Sequence, residues 1–432
     1  MKLSTLGHAT LLLSAAEGGA PILVTDPWLF GSCYWRSWWL ERPASKQQIE
    51  RIAQAQFCYL THEHPDHFHT PSLRRIGSGP EYLVPELSRD MMGRYLREHG
   101  ARARTLSAGE WHILRDNVRV LSLATLGNDS ALLIDTPHAL IANLNDARPT
   151  PDQLLLLRRL RRAAGRKKRC ILLASYSSAG IGHSLYRGGR RLDFAGANHT
   201  RYVSMLARVL EADTYIPFAS QVRFERPDTR WANAYRVSPD AVSGALTQAG
   251  VEALPPYVTL DLNSGVHHCE GEFASTDARD TAERVRIQLE SETGSLAVED
   301  QQRLEHKLRA AGRTVLACLF PRGIGFELPE QRLHYDTLRG RLREGEHASS
   351  LGLRLPAQAL KDVLASGYFS DLCIPMFTEV HLGPETLPHA AYAFFVLMQL
   401  HDVGATTGAA AIGRSLRLSV IERARLFRAA AA

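Results

Sequence analysis

Thiol chemistry is sparse in this chain. Its six cysteines, at positions 33, 58, 170, 269, 318 and 373, are scattered through 432 residues without one Cys-x-x-Cys pair. That spacing excludes a disulfide framework and fits reduced thiols, so a reducing cytoplasm is the expected compartment. The sequence also lacks any stretch of the roughly 18 apolar residues that a membrane span requires, and no membrane association is expected. A signal peptide is not expected either, because Gly7, His8 and Thr10 interrupt the first apolar stretch. Internal repeats and low-complexity tracts are missing. Aromatic residues are 8% of the chain and do not interleave with basic ones, so nucleic acid is not an expected partner despite a net charge of +6.

What is present suits a globular protein of two or three domains, with 45% hydrophobic and 22% charged residues. Much of the positive excess lies in Arg158-Arg159-Leu160-Arg161-Arg162 and Arg166-Lys167-Lys168-Arg169. These runs read as a solvated helix face and its end, the alternative being a patch that attracts phosphate or carboxylate. The first 150 residues alternate short apolar runs, predicting strands at 11–13, 22–25, 57–60, 118–123, 131–135 and 139–143, with helices at 45–54, 71–77 and 86–98. Helix and strand then alternate: helices at 151–164, 199–211 and 238–249, strands at 170–174 and 214–218. The pattern predicts an α/β layered domain over 1–255. A junction at 255–300 leads into a smaller α+β domain over 256–432, with a helix at 297–311, a strand at 314–320, a helix then a strand within 356–380, and a fraying tail at 428–432.

The densest chemistry is Thr61-His62-Glu63-His64-Pro65-Asp66-His67, with three imidazoles and the Asp66 carboxylate among its ligand-type residues, directly after the apolar run Phe57-Cys58-Tyr59-Leu60. At a strand end, the two-residue spacing of His62 and His64 sends both rings to one side, where they can share an ion. Pro65 disfavours helix at His64 and turns the chain, so Asp66 and His67 can face the same cavity and hold a second ion. A metal held by loops needs further ligands from other strand ends, and Asp146, closing the run Leu140-Ile141-Ala142-Asn143-Leu144-Asn145, is the leading candidate, against a plain turn-forming role. Asp26, in Val24-Thr25-Asp26-Pro27-Trp28, ends another strand.

The pattern His-x-His-x-Asp-His resembles the signature of the metallo-β-lactamase fold, an αββα sandwich whose loops hold one or two ions at the sheet edge. The resemblance implies that His62 and His64 serve one ion and Asp66 and His67 the other, that Asp146 bridges them, and that Asp26 supports a ligating histidine from behind. The sequence departs from the pattern twice. In place of a histidine it has Leu126-Gly127-Asn128-Asp129-Ser130-Ala131, where Asn128 or Asp129 is the substitute, Asp129 being the ligand expected. In place of a late histidine, Phe218-Ala219-Ser220-Gln221-Val222-Arg223-Phe224-Glu225-Arg226 offers Glu225 and Arg226. His69, His183 and His199 are further replacement candidates.

Three segments are similar to a narrower group, the hydroxylases that act on CMP-bound sialic acid and their relatives. They are Asp26-Pro27-Trp28-Leu29 followed by Trp35-Arg36-Ser37-Trp38-Trp39, then Tyr215-Ile216-Pro217-Phe218-Ala219-Ser220, and Gly367-Tyr368-Phe369-Ser370-Asp371-Leu372. This resemblance implies oxygen-dependent hydroxylation with electrons from a Rieske cluster. Such a cluster needs paired Cys-x-His and Cys-x-x-His motifs, and the sequence has neither, so a separate electron-donor protein or a small reductant is expected. Three readings follow. One is a non-haem iron oxygenase, a monooxygenase, holding one or two irons. The second is a hydrolase using zinc or manganese, with Asp66 orienting the attacking hydroxide. The third is a non-catalytic protein with a degenerate site. The C-terminal domain is expected to pack on the active site. A small anionic or nucleotide-linked substrate would meet Arg223, Arg226 and Arg230 and the aromatic segment containing Trp38, against surface salt bridging and core packing respectively.

Overall fold

The computed structural model describes residues 1–15, 19–87, 89–115, 117–125, 128–165, 167–177, 180–192, 198–404 and 409–430. Leu126, Gly127, Arg166 and the last two residues of the expected tail lie outside that set. Two sheets contain the runs read as strands through residue 218, joined by strands that the sequence reading did not mark, Lys2–Leu6, Glu81–Pro85, Ala103–Leu106 and Trp111–Arg115 among them. The first has eight strands, in the spatial order His267–Cys269, Val258–Asp261, Lys2–Leu6, Thr10–Ser14, Pro21–Thr25, Phe57–Tyr59, Glu81–Pro85 and Ala103–Leu106. The second has seven, in the order Glu252–Ala253, Thr214–Phe218, Arg169–Ser175, Ala139–Asn145, Asp129–Asp135, Val118–Thr125 and Trp111–Arg115.

Because side chains alternate along a strand, each sheet has two apolar faces to cover. The inner faces pack on each other through residues such as Leu11, Leu83, Ile134, Ile171 and Phe218. The outer face of the first sheet is covered by Ile52, Leu73 and Leu96 from helices Lys46–Ala53, Thr70–Ile76 and Met91–Glu98. The outer face of the second receives Leu157, Leu206 and Leu246 from helices Pro151–Ala163, Asn198–Val209 and Pro239–Gln248. Local chemistry sets these helix ends: at the first, Ser45 Oγ accepts from Gln48 N–H while Gln48 Oε1 accepts from Ser45 N–H, a reciprocal capping box. The αββα sandwich expected from the resemblance is therefore present. No helix among the described residues is long and apolar enough to cross a membrane.

A third, seven-stranded sheet runs Arg190–Arg191, Leu185–Arg187, Glu379–Leu382, Leu351–Arg354, Ile324–Glu327, Arg332–Asp336 and Arg341–Glu344. Helices Val298–Leu319, Ala357–Ser366 and Pro388–Asp402 pack with it through Leu304, Leu308, Leu360 and Phe394. Two features differ from the sequence reading. Strands Val258–Asp261 and His267–Cys269 lie beyond residue 255 yet complete the first sheet, Leu3 pairing with Leu260. The run 314–320, expected as a strand, is helical through Leu319. Leu304, Leu308, Ala311 and Leu316 form one buried stripe, and packing overrides local propensity. A kink at Gly312, φ 134°, lets the stripe follow the core.

The two bodies are clamped by Arg226, whose side chain is fully buried. Its guanidinium donates to Glu292 at 2.6 and 2.7 Å, to Asp228 at 3.0 and 2.8 Å and to the Trp35 carbonyl at 2.9 Å, and it lies 4.6 Å from the Phe377 ring. Removing one partner of such a buried pair leaves an uncompensated charge, which costs about 3–5 kcal/mol. Arg226→Ala is therefore expected to lower unfolding stability by that amount in urea titrations, and Arg226→Lys to recover only part of it, because an ammonium cannot make the two forked pairs.

Candidate metal centre

The His-rich loop is placed by strand register. Thr25 pairs with Tyr59 in parallel, so the next residues of both strands meet at the sheet edge, and Asp26 N–H donates to the Tyr59 carbonyl at 3.0 Å. Asp26 adopts a left-handed backbone, φ 38°, and its buried carboxylate turns toward the loop. Oδ1 accepts from Thr61 N–H at 2.8 Å and Oδ2 from the Thr61 hydroxyl at 2.7 Å. Oδ2 also lies 2.9 Å from His67 Nδ1. With the Nδ1 proton held there, His67 Nε2 is directed to the opposite side, where on losing its proton it would offer a lone pair to a cation.

On that side stand Asp146 Oδ2 at 3.2 Å and Asp66 Oδ2 at 3.5 Å. His8 joins them from the turn between the first two strands, its Nε2 3.1 Å from Asp66 Oδ2. That turn lies against Trp28: Gly7 has φ 55°, and a Cβ there would meet the Trp28 carbonyl at 2.7 Å, so only glycine lets it approach. His8, Asp66, His67 and Asp146 thus offer four donor atoms within 4.8 Å of one another. The contact of His8 with Asp66 lacks hydrogen-bond alignment, and both His8 ring nitrogens are buried without a hydrogen-bond partner. An orphaned His8 Nε2 beside the Asp66 and Asp146 carboxylates fits a cation, which would satisfy that nitrogen.

A second group adjoins the first. His62 Nε2 faces His64 Nδ1 at 2.8 Å, and the His62 ring centroid is 4.3 Å from that of His67. His62 Nδ1 lies 3.1 Å from Asp129 Oδ1 and 3.0 Å from the Thr61 hydroxyl. His64 Nε2 lies 3.6 Å from Asp371 Oδ1, brought by the turn Phe369–Cys373 of the C-terminal domain. Around both groups the chain runs through a left-handed turn, Tyr34, Trp35 and Arg36 at φ 51°, 52° and 60°. From it the Tyr34 hydroxyl donates to Asp66 Oδ1 at 2.7 Å.

Electrostatics follow this arrangement. Burial opposes charge on His67, but Asp66, Asp26 and Asp146 outweigh it and hold its pKa well above the ordinary imidazole range. Burial likewise opposes charge on Asp66, which His67 and His8 hold well below the carboxylate range, and on Asp146, which a hydrogen bond from His67 lowers to about 2. His62 is raised because Asp129 overcomes the effect of burial. His64 falls to about 4 through burial and the nearby His62.

The structure therefore brings together His62, His64, Asp66, His67 and Asp146, with Asp26 behind His67. It puts Asp129, expected as a ligand, behind His62, on the ring nitrogen turned away from His64. Asn128 instead donates to both oxygens of Glu63, at 2.8 and 2.9 Å. Arg226 is corrected from substrate binding to the interdomain clamp, since Asp228, Glu292 and Trp35 occupy its donors. Arg223 faces solvent, because Val222 and Phe224 on either side point inward, and it pairs with Glu225 at 3.3 Å. Arg230 is exposed and lies 3.9 Å from Glu225. Trp38 is buried against His8, Tyr34 and Phe224 and lines a narrow cavity beside His8. His69 caps helix Thr70–Ile76 through Ser72, His199 lies 3.2 Å from Arg148, and His183 lines the cavity without joining the donors. His8 and Asp371 were missed as site residues. A histidine in a Gly-His turn between two apolar strands was the available signal for the first.

No protein-family model matches the chain. Among curated proteins it is similar to the cytidine monophosphate-N-acetylneuraminic acid hydroxylase of Danio rerio, with 24% identity over 301 residues covering 64% of this chain and 48% of that protein. The inactive cytidine monophosphate-N-acetylneuraminic acid hydroxylase of Homo sapiens is 23% identical over 250 residues, 54% of this chain and 47% of that protein. The chain thus spans about half the length of the curated relatives it matches. Among solved structures, the isothiocyanate hydrolase from Delia radicum gut bacteria shares 14% identity at a TM-score of 0.41, covering 63% of this chain and 100% of that one. The metallo-β-lactamase fold protein YhfI from Bacillus subtilis shares 11% at 0.37, covering 62% and 98%. The two-sheet topology with the His-rich loop at the sheet edge is that of the metallo-β-lactamase fold.

Because the folded pKa of His67 is raised, its ion pairs stabilise the metal-free protein fully below the ordinary imidazole range, and that contribution is lost as pH rises through the raised value. The unfolding midpoint of chelator-treated protein is expected to fall over that interval, and His67→Asn to flatten the decline; an unchanged slope in the variant would contradict the assignment. His8→Ala should weaken metal retention by on the order of 10-fold or more, measured by chelator competition, whereas Arg158→Ala, at an exposed pair with Glu211, should leave it unchanged.

Proposed function

We propose that this chain is a metal-dependent enzyme that hydroxylates a small anionic or nucleotide-linked substrate with dioxygen, using iron held by His8, Asp66, His67 and Asp146. The observation that carries the reading is the donor set itself. Two imidazoles and two carboxylates suit non-haem iron, whereas hydrolytic zinc is more often held by histidines. The similarity to CMP-N-acetylneuraminic acid hydroxylases supports it. Iron bound there would supply redox chemistry toward dioxygen. Inserting one oxygen atom into a C–H bond sends the other to water and consumes two electrons and two protons, so an external electron-donor protein is part of the proposal.

The protein's own groups orient and shield the centre. Tyr34 holds Asp66 Oδ1 and leaves Oδ2 to face His8 and His67, while Asp26 fixes the His67 tautomer. The rings of Trp28 and Trp38 pack around His8 and exclude water from that side. The cavity beside His8 is lined by Trp38, Ser177, Ser220, Tyr235 and Arg236. Trp38 Nε1 and Arg236 Nε are buried donors without partners, suited to a substrate carrying oxygen acceptors. One observation favours a second reading: the adjoining pair His62 and His64 makes room for a two-ion hydrolytic centre, in which zinc or manganese would supply an activated water.

Metal analysis of freshly purified protein and of protein reconstituted anaerobically with ferrous iron separates these readings. One or two equivalents of iron, with transfer of one labelled atom from ¹⁸O₂ to CMP-N-acetylneuraminate or a related acid when a reductase is supplied, is the expected result. Zinc or manganese alone, with hydrolysis of an ester, lactone or phosphodiester, would replace the oxygenase by the hydrolase. Absence of any bound metal would leave the degenerate site.

A further inference from the structure

We infer that Asp371 of the C-terminal domain is the carboxylate that positions His64, so that the metal centre is complete only when that domain is seated. The inference rests on reading His62 and His64 as ligands of a second ion beside the set of His8, Asp66, His67 and Asp146. His62 and His67 each rest Nδ1 on a carboxylate, Asp129 at 3.1 Å and Asp26 at 2.9 Å, while His67 Nε2 faces the donor cluster and His62 Nε2 faces His64. Both carboxylates come from strand ends of the sandwich. His64 follows the same plan on its inner side, with Nδ1 2.8 Å from His62 Nε2. Its outer nitrogen, Nε2, faces Asp371 Oδ1, the carboxylate within ion-pair reach of it among the described residues.

The turn that carries Asp371 is built by its own domain. Phe369 and Leu372 are buried in the C-terminal core. Ser370 donates through both its N–H and its hydroxyl to Asp402 Oδ2 at 2.9 Å, and Lys307 donates to the Gly367 carbonyl at 2.8 Å and pairs with Asp402. Within this frame Asp371 Oδ1 is buried and has no hydrogen-bond partner. An unpartnered acceptor beside the outer nitrogen of a ring whose inner nitrogen faces His62 is the arrangement that would fix the tautomer and direction of a ligating histidine. From 3.6 Å, a closure of about 0.6 Å brings the pair to the ~3.0 Å of an N–H···O bond. Asp371 is thus a positioning residue: it lies on the far side of the ring and acts through His64.

The test is an anaerobic cobalt(II) titration of the full chain, read by visible d–d absorption and chelator competition, with urea unfolding to verify folding. Asp371→Ala is expected to weaken cobalt binding by about 10-fold or more and to change the d–d spectrum. Asp371→Asn, which keeps an acceptor without the charge, should fall between it and the wild type. Asp362→Asn is the control for removing a carboxylate at the domain contact while the domain stays seated, since Asp362 accepts from Trp35 Nε1 at 2.7 Å, an asparagine oxygen can still accept that bond, and the residue touches no imidazole; its affinity should equal that of the wild type. Wild-type affinity and spectrum in Asp371→Ala, or in Asp371→Asn if the alanine variant does not fold, would overturn the inference and leave the metal centre standing. An Asp362→Asn loss as large as that of Asp371→Ala would also overturn it. Failure of the wild type to bind cobalt would overturn both.

Discussion

Everything at the sheet edge depends on one buried carboxylate. Asp26 is fully enclosed, and its two oxygens are used by the Thr61 amide, the Thr61 hydroxyl and His67 Nδ1. Those bonds tie the end of one strand to the start of the His-rich loop on its neighbour, and they do so without the flexibility of a long side chain. Through Thr61 the same carboxylate reaches His62, whose Nδ1 lies against the Thr61 hydroxyl. The direction of two imidazoles is therefore set by a residue that need not touch a metal.

The left-handed turn at Tyr34, Trp35 and Arg36 shows how the rest of the molecule is recruited. Each such residue costs about 1–2 kcal/mol, and three in succession persist only where surrounding contacts over-determine them. Here Tyr34 bonds Asp66, Trp35 Nε1 bonds Asp362, Arg226 bonds the Trp35 carbonyl, Trp39 Nε1 donates to the Arg36 carbonyl and Ser37 donates to Pro375. Three of these partners, Asp66, Asp362 and Pro375, belong respectively to the donor cluster and to the C-terminal domain. The turn is the place where the site and the domain contact become one structure.

Much of this was legible in the sequence because the information was local. His62, His64, Asp66 and His67 occupy six consecutive positions after an apolar strand, and Asp26 and Asp146 each end an apolar run, so periodicity alone directs attention to them. His8 and Asp371 carry no such mark. One is a lone imidazole that interrupts an apolar stretch, the other a lone acid in an irregular turn, and only the tertiary fold brings them to the loop. The arginines failed for the opposite reason: Arg223 and Arg226 are close in sequence, but strand alternation sends one to solvent, and burial commits the other to Glu292 and Asp228. The helix through 314–319 was missed because β-branched residues there yield to a buried stripe that begins at Leu304.

The connectivity of the sheets bears on how the chain can be assembled and taken apart. The first sheet needs Val258–Asp261 beside Lys2–Leu6, and the third sheet borrows Leu185–Arg187 from within the sandwich to lie against Glu379–Leu382. During synthesis, the edge of Lys2–Leu6 and the hairpin at Leu185–Arg191 must both wait for partners made much later, the second until almost the whole chain has emerged. Exposed strand edges invite pairing with other chains, so slow or interrupted translation would present two adhesive edges at once. For the same reason no single cleavage in 255–300 yields two self-sufficient halves: wherever the cut falls, the C-terminal sheet loses the strands that the sandwich lends it.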